Sequence, residues 1–309
     1  MPHTALLFPG QGSQFVGMVR NVYDALPEAR AVVDRADAVL GFDLSRLMFE
    51  GPEASLTRTD NAQPAIFVAS VALLRCIQAD LPEVSVVAGH SVGEFSALVA
   101  AGALEFEDGL RLVRRRGELM QGADSVTPGG MLAVLGLEDE AIEEACARVA
   151  PLVVCAANYN APGQIIVSGE RAALEAVTPL LKAQGARRVL PLNVGAAFHS
   201  PLMRPAAGQL RQALDQVQLV AARWPVIGNV SAQGLTDPDD LREELAEQIA
   251  APVRWHRSIQ WALESGITRF VEIGPGSVLT GLMKRIDPAA HAESISQLED
   301  VQGLRVLAG

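Results

Sequence analysis

The stretch "VVAGHSVGEFSALVAAGAL", residues 86–104, sets a serine between two glycines where an apolar run gives way to helical spacing. Glycines make tight turns and serine caps helices, so a purely structural reading exists. A chemical reading exists as well, since G-x-S-x-G between a strand and a helix is a nucleophile elbow. The apolar run before it and the helix after it supply the context that the chemical reading needs.

Similar punctuation recurs along the chain. "TALLFPGQG" is a buried strand ending in a glycine turn, and "ITRFVEIGPGS" is another. "ARWPVIGNVS" reads as a further strand. "NAQPAIFVASVALLRCIQAD" reads as a helix from about Pro64, with proline in its first turn. Apolar strands separated by helices predict a parallel sheet covered on both faces. Ligands in such sheets bind at the carboxyl ends of strands, where "PGQG", "GHSVG" and "GPGS" all fall.

The middle of the chain has a different order. After the Gly/Pro-containing loop "QGADSVTPGG" come "MLAVLGL", "EDEAIEEACARV", "PLVVCAANY", "GQIIVSG", "RAALEAVTPLLKAQG" and "RRVLPLNV". That is β-α-β-β-α-β, the split βαβ pattern of a ferredoxin-like unit. The expected organisation is a small inserted domain at 125–197, with a larger α/β domain formed by 1–124 and 198–309.

Composition narrows the functional classes. A chain of 309 residues with 49% apolar residues can bury a large core. The net charge of −11 argues against general nucleic-acid binding. The longest apolar stretch, 65–74, is too short to span a bilayer, and the N-terminus lacks the charged region of a signal peptide. Cys76, Cys146 and Cys155 suit neither a disulfide framework nor a metal site, so a cytoplasmic protein without metal or cofactor is expected.

A serine hydroxyl needs a base, usually histidine. His3 and His291 lie near the termini, His90 should point away from Ser91, and His256 sits on a helix between Trp255 and Arg257. His199, in "NVGAAFHSPLM", follows the last strand of the insert and falls where the two domains meet. A packed or exposed loop histidine is the plain alternative. In the helix "EDGLRLVRRRGELMQ", Arg111, Arg114, Arg115 and Glu118 share a polar face, while Arg116 shares its side with Leu112, Val113, Leu119 and Met120. An inward-facing arginine requires an anion, either a structural carboxylate or a substrate carboxylate held by the guanidinium fork.

Together, "LFPGQGSQFVGM", "DNAQPAIF", "GHSVGEFSAL", "VRRRGELMQ", "NAPGQIIVSG", "AFHSPLM" and "EIGPGSVLTGL" resemble, in order and over nearly the whole chain, the motifs of malonyl-CoA:acyl-carrier-protein transacylases. The resemblance implies an α/β-hydrolase-like core with a ferredoxin-like insert. It implies that Ser91 is the nucleophile, paired with His199 as base, with the Gln248 backbone carbonyl orienting the histidine. It further implies an oxyanion hole from the N–H groups of Gln11 and Val92, and a carboxylate-binding Arg116. Asn158 and Asn160 match a polar loop of the substrate site. Val92 and the "AFHS" at 197–200 accompany malonyl selection in related domains, with the Phe198 ring filling the space of an α-methyl group. The implied partners are malonyl-CoA and acyl carrier protein, the kinetics ping-pong, and the pathway fatty-acid synthesis.

Alternatives remain open at this level. A polyketide or malonate decarboxylase system would use the same motifs. A serine esterase would need an acid behind the histidine, for which Asp108, Asp124 and Asp139 are available. A dinucleotide site is weakened by Phe15, where G-x-G-x-x-G needs glycine. A scaffold with a decayed site is at odds with the intact set. An acidic carrier must meet a local basic patch on this acidic chain, drawn from Arg111, Arg114, Arg115, Lys182, Arg187, Arg188, Lys284 and Arg285. A monomer is expected.

Overall fold

A computed structural model of the chain describes residues 3–81, 83–126 and 128–308. Among these residues ten strands form two sheets: β1 (His3–Phe8), β2 (Val84–Gly89), β3 (Gly129–Leu135), β4 (Val154–Ala161), β5 (Gln164–Glu170), β6 (Arg188–Pro191), β7 (Val226–Ile227), β8 (Gly234–Leu235), β9 (Ile267–Ile273) and β10 (His291–Ile295). The larger sheet has the order β10-β9-β1-β2-β7-β8. Its neighbours are parallel except β7 and β8. Alternation along β1 shows why it reads as a continuous apolar run. Leu6 and Phe8 join the core shared with helices Thr59–Ile77 and Gly93–Ala100, while Ala5 and Leu7 pack with Ile259 and Leu279 on the other face.

Parallel pairing brings the ends of β1, β2 and β9 to one edge, with Phe8 opposite Gly89 and Leu7 opposite Glu272. The glycine turns therefore meet there. Their lack of side chains is a packing requirement. A Cβ on Gly93 would stand 2.1 Å from the Phe8 carbonyl oxygen, and one on Gly89 would stand 2.0 Å from Gly93. The elbow helix can sit on β1 and β2 only because both positions are bare.

The smaller sheet is antiparallel, with the order β4-β5-β3-β6. Helices Asp139–Ala147 and Arg171–Ala183 cover one face, closing a core of Val134, Ile142, Ile165, Val167, Val177 and Leu181. Residues of opposite parity, Met131 and Ile166, point out of that core and into the cleft between the two sheets. Backbone bonds tie the parts together: Tyr159 donates to Val253 O at 2.9 Å and Val253 to Ala157 O at 2.8 Å.

Four local expectations need correction. Helix Thr59–Ile77 starts five residues before Pro64. Proline leaves the Asp60 carbonyl without its helical donor, and Arg114 Nη1 takes that carbonyl at 2.7 Å. The strand expected over 222–231 shrinks to Val226–Ile227, because the chain turns at Gly228 to deliver Asn229 beneath β2. Asn158 and Asn160 lie on strand β4, not on a loop. The helix Phe106–Val126 also runs through position 125, and the first strand of the small sheet begins at Gly129.

Candidate active site

Ser91 sits at the tip of the turn between β2 and helix Gly93–Ala100, with φ of +52°. A left-handed conformation at a residue carrying Cβ is strained, typically by about 1–3 kcal/mol. It lifts the hydroxyl out of the line of the helix. Ser91 Oγ lies 2.8 Å from His199 Nε2, across 108 residues of sequence. His199 has the same backbone anomaly, φ +56°. Its N–H donates to Ile249 O at 3.1 Å, and its Nδ1 lies 2.8 Å from Gln248 O. Both carbonyls belong to the carboxyl end of helix Pro238–Gln248.

This arrangement fixes the ring chemistry. With Nδ1–H donated to a carbonyl, Nε2 is left as the acceptor facing the serine hydroxyl. Burial, with the Arg116 charge close by, pulls the His199 imidazole down to about 3, so the ring is neutral at ordinary pH. A neutral ring can accept the serine proton, and the negative end of the helix dipole stabilises the imidazolium that forms. No acid is needed behind it. Asp108 is bound to Arg111 on the surface, and Asp139 is near His256 instead. Asp124 lies outside the described side chains. The acid-backed esterase triad is thus overturned by the carbonyl that already occupies Nδ1.

Arg116 is fully buried, as its helical phase predicts. Its described acceptors are three neutral oxygens: Gln63 Oε1 at 2.7 Å, Gln248 Oε1 at 2.8 Å and Ser91 Oγ at 3.0 Å. Among the described residues its Nε has no hydrogen-bond partner, and the guanidinium lies over the Phe95 ring at 5.9 Å. Burial lowers it to about 10, and it remains charged at neutral pH. A cation this deep without a carboxylate bonded to it is expensive for the protein alone.

The cleft above Ser91 and His199 has a volume of about 220 Å³. Gly10, Gln11, His90 and Ser91 form its floor, Met131, Ile166, Leu192 and Val194 a wall from the small sheet and its exit, and Val278, Leu279 and Leu282 a second wall. Phe198, Asn158 and Asn160 line it too. His90 does turn from the serine, and its Nε2 meets Asn160 Oδ1 at 2.8 Å. Val92 is the N-cap of the elbow helix, so its N–H is among those that a helix leaves without an internal partner. Gln11 reaches back through Nε2 to Thr59 Oγ1 at 3.3 Å. The sequence-predicted residues therefore gather around one cleft, with Arg116 and Gln248 beneath its floor. Sequence reasoning missed Gln63 and Asn229. Neither stands in a spacing pattern, although Gln63, the last residue of "DNAQ" and the one directly before the apolar run, is a signal.

The sequence profile of the acyl transferase domain matches residues 5–303. The chain belongs to the acyl transferase family. Among its relatives, this acyltransferase is 44% identical over 304 residues to the malonyl CoA-acyl carrier protein transacylase of Bacillus subtilis, covering 98% of this chain and 96% of that protein. Its structure matches the acyl carrier protein S-malonyltransferase from Vibrio cholerae at a TM-score of 0.94 and 40% identity, over 97% of this chain and 99% of that one. A malonyl-transacylase solved in complex with a type II PKS acyl-carrier protein matches at 0.95 and 39% identity, over 98% of each chain. Among the described residues no helix is long and apolar enough to cross a membrane, and no cluster could hold a metal ion.

Proposed function

We propose that this acyltransferase moves a malonyl group from malonyl-CoA to the thiol of an acyl carrier protein, supplying fatty-acid synthesis. His199 Nε2 takes the Ser91 proton as Oγ attacks the thioester carbonyl. The N–H groups of Val92 and Gln11 receive the oxyanion, each worth about 3 kcal/mol at the transition state. Coenzyme A leaves with the proton from His199, and the malonyl ester waits on Ser91. The carrier thiol then attacks, with His199 again as base, giving ping-pong kinetics.

Arg116 carries the substrate assignment. A carboxylate one methylene beyond the ester carbonyl falls within reach of a guanidinium already 3.0 Å from Ser91 Oγ. The substrate supplies the anion that the buried cation lacks, through charge-assisted bonds. Phe198 fills the space that an α-methyl branch would need, while Asn158 and Asn160 provide polar contacts in the same cleft. The strand order of the small sheet supports its reading as a ferredoxin-like insert within 125–197, and the strand–elbow–helix over 84–100 supports an α/β-hydrolase-like core.

Incubation with malonyl-CoA alone tests the reading. One malonyl mass should appear on the peptide holding Ser91, and Ser91→Ala should abolish it. Labelling that persists in that variant contradicts the assignment.

A further inference from the structure

The backbone of Ser91 is gripped from both sides. Its N–H donates to Asn229 Oδ1 at 2.7 Å, and its carbonyl accepts from Gln248 Nε2 at 3.0 Å. Asn229 is itself fixed to the end of β2, its Nδ2 donating to Gly89 O at 2.7 Å. Both grips converge on one carboxyl group. Glu94 Oε2 accepts from the Asn229 N–H at 3.2 Å and from Gln248 Nε2 at 2.8 Å. Glu94 is wholly buried on the first turn of the elbow helix, and its Oε1 has no hydrogen-bond partner among the described residues.

This is an unusual place for an acid that takes no part in the acyl transfer proposed above. An ion pair with Arg116 is not its bonding role, because the amide of Gln248 stands between them and bonds to each. A general-acid role is equally unsupported, since Glu94 is absent from the cleft lining. What Glu94 does touch are the two residues that hold the strained serine. It also sets the orientation of the Gln248 amide: with Nε2 drawn to Glu94, Oε1 must face Arg116.

We propose that Glu94 is a positioning residue, which locks Asn229 and Gln248 against the two ends of the Ser91 backbone and so holds the hydroxyl at the His199 ring. The inference rests on the reading of Ser91 as the nucleophile. Burial, reinforced by nearby Glu244, raises Glu94 well above the usual carboxylate range, which agrees with a group used for its oxygen geometry more than for its charge. Glutamine at this position keeps a side-chain carbonyl that can accept both N–H groups; alanine keeps nothing.

The test compares Glu94→Ala, Glu94→Gln and Asn229→Ala. Two readouts are needed: kcat and KM for malonyl transfer, and the rate at which a fluorophosphonate labels Ser91 without substrate. Misplacing a reacting atom by about 1 Å costs about 100-fold, so both alanine variants should lose about that much in kcat and in labelling rate. KM should move far less than kcat, because neither residue lies in the cleft lining. Glu94→Gln should recover at least about tenfold of the loss, since hydrogen-bonding geometry is what positions the nucleophile. Alanine variants that label at the parent rate, or a glutamine variant no better than alanine, overturn the inference. Should Glu94→Ala fail to fold, Asn229→Ala carries the same expectation, and parent-rate labelling there overturns it equally. Ser91→Ala measured alongside separates the two ideas: malonyl transfer surviving in it defeats the nucleophile assignment itself, whereas its loss beside normal Glu94 and Asn229 variants defeats only the positioning role.

Discussion

The floor of the cleft and its small-sheet wall face one another across a few residues, yet they are built differently. The floor places Ser91, His199 and, beneath them, Arg116 in nearly complete burial, with two left-handed backbones and a hydrogen-bond network that reaches Gln63, Asn229 and Gln248. The wall presents apolar side chains, Met131 and Ile166 buried on an antiparallel sheet and Leu192, 37% exposed, just past its strand Arg188–Pro191. Chemistry needs atoms fixed to fractions of an ångström, and only directional bonds provide that. A surface that accommodates part of a large substrate needs shape and apolar area, and tolerates looser placement.

The comparison breaks most clearly at His199. His199→Ala should slow acylation by malonyl-CoA and transfer to the carrier together, each by about 100-fold or more. Single-turnover mass measurements of the two half-reactions decide it. A variant slowed only in transfer would place His199 in carrier docking instead.

Arg116 gives the next largest effect. Hydrogen bonds to a charged partner contribute about 1.5–3 kcal/mol, so Arg116→Ala should lose roughly 10- to 150-fold in malonyl transfer. Transfer of uncharged acetyl groups should be kept or gained. Lysine should rescue poorly, lacking the planar fork. Equal losses for acetyl and malonyl, with a lower melting temperature, would make Arg116 a structural residue of the floor.

The burial of His199 predicts a displaced pH profile. A ring pulled down to about 3 stays neutral as the pH falls, so kcat/KM should hold its plateau well below pH 6.5, where an ordinary histidine protonates. An acid limb centred near 6.5 would contradict this burial. The stability sign follows from the same shift. Below about pH 6.5 the unfolded chain takes up a proton that the folded ring refuses, so stability falls from there toward pH 3.

On the wall, effects should be small. Leu192→Ala should leave kcat within about threefold, since an aliphatic side chain makes no directional bond to a reacting atom, and stability within about 0.5 kcal/mol, as at other exposed positions. A loss in kcat comparable to that of a floor residue would erase the distinction between the two sides.

The floor was also the more legible side in the sequence. Its turns carry glycines whose close approaches are obligatory, and the inward phase of Arg116 follows from helix periodicity alone. The roles of Ser91, His199 and Gln248 came by resemblance, and the structure sets Ser91 Oγ and Gln248 O each 2.8 Å from the His199 ring. What escaped had no periodic trace. Asn229 looks like an ordinary turn residue in "IGNVS", because its partners Gly89, Ser91 and Glu94 are remote in sequence. The early start of helix Thr59–Ile77 depended on an arginine of another helix taking the carbonyl that Pro64 abandons. The polar loop for Asn158 and Asn160 came by resemblance, yet both stand on β4, whose register with β5 sets Asn158 opposite Ile166.

The orienting partner of His199 is a peptide carbonyl, Gln248 O, and no codon specifies a carbonyl. Any residue at position 248 would bring the same oxygen, so a single substitution cannot delete it in the way that an aspartate can be deleted. Nor does it ionise, so the imidazole keeps its support at any pH at which the chain stays folded. The vulnerability moves instead to the helix that carries it. Displacement of the carboxyl end of Pro238–Gln248 would release the His199 ring and unclasp the Ser91 backbone together, through the main chain and the side chain of one residue.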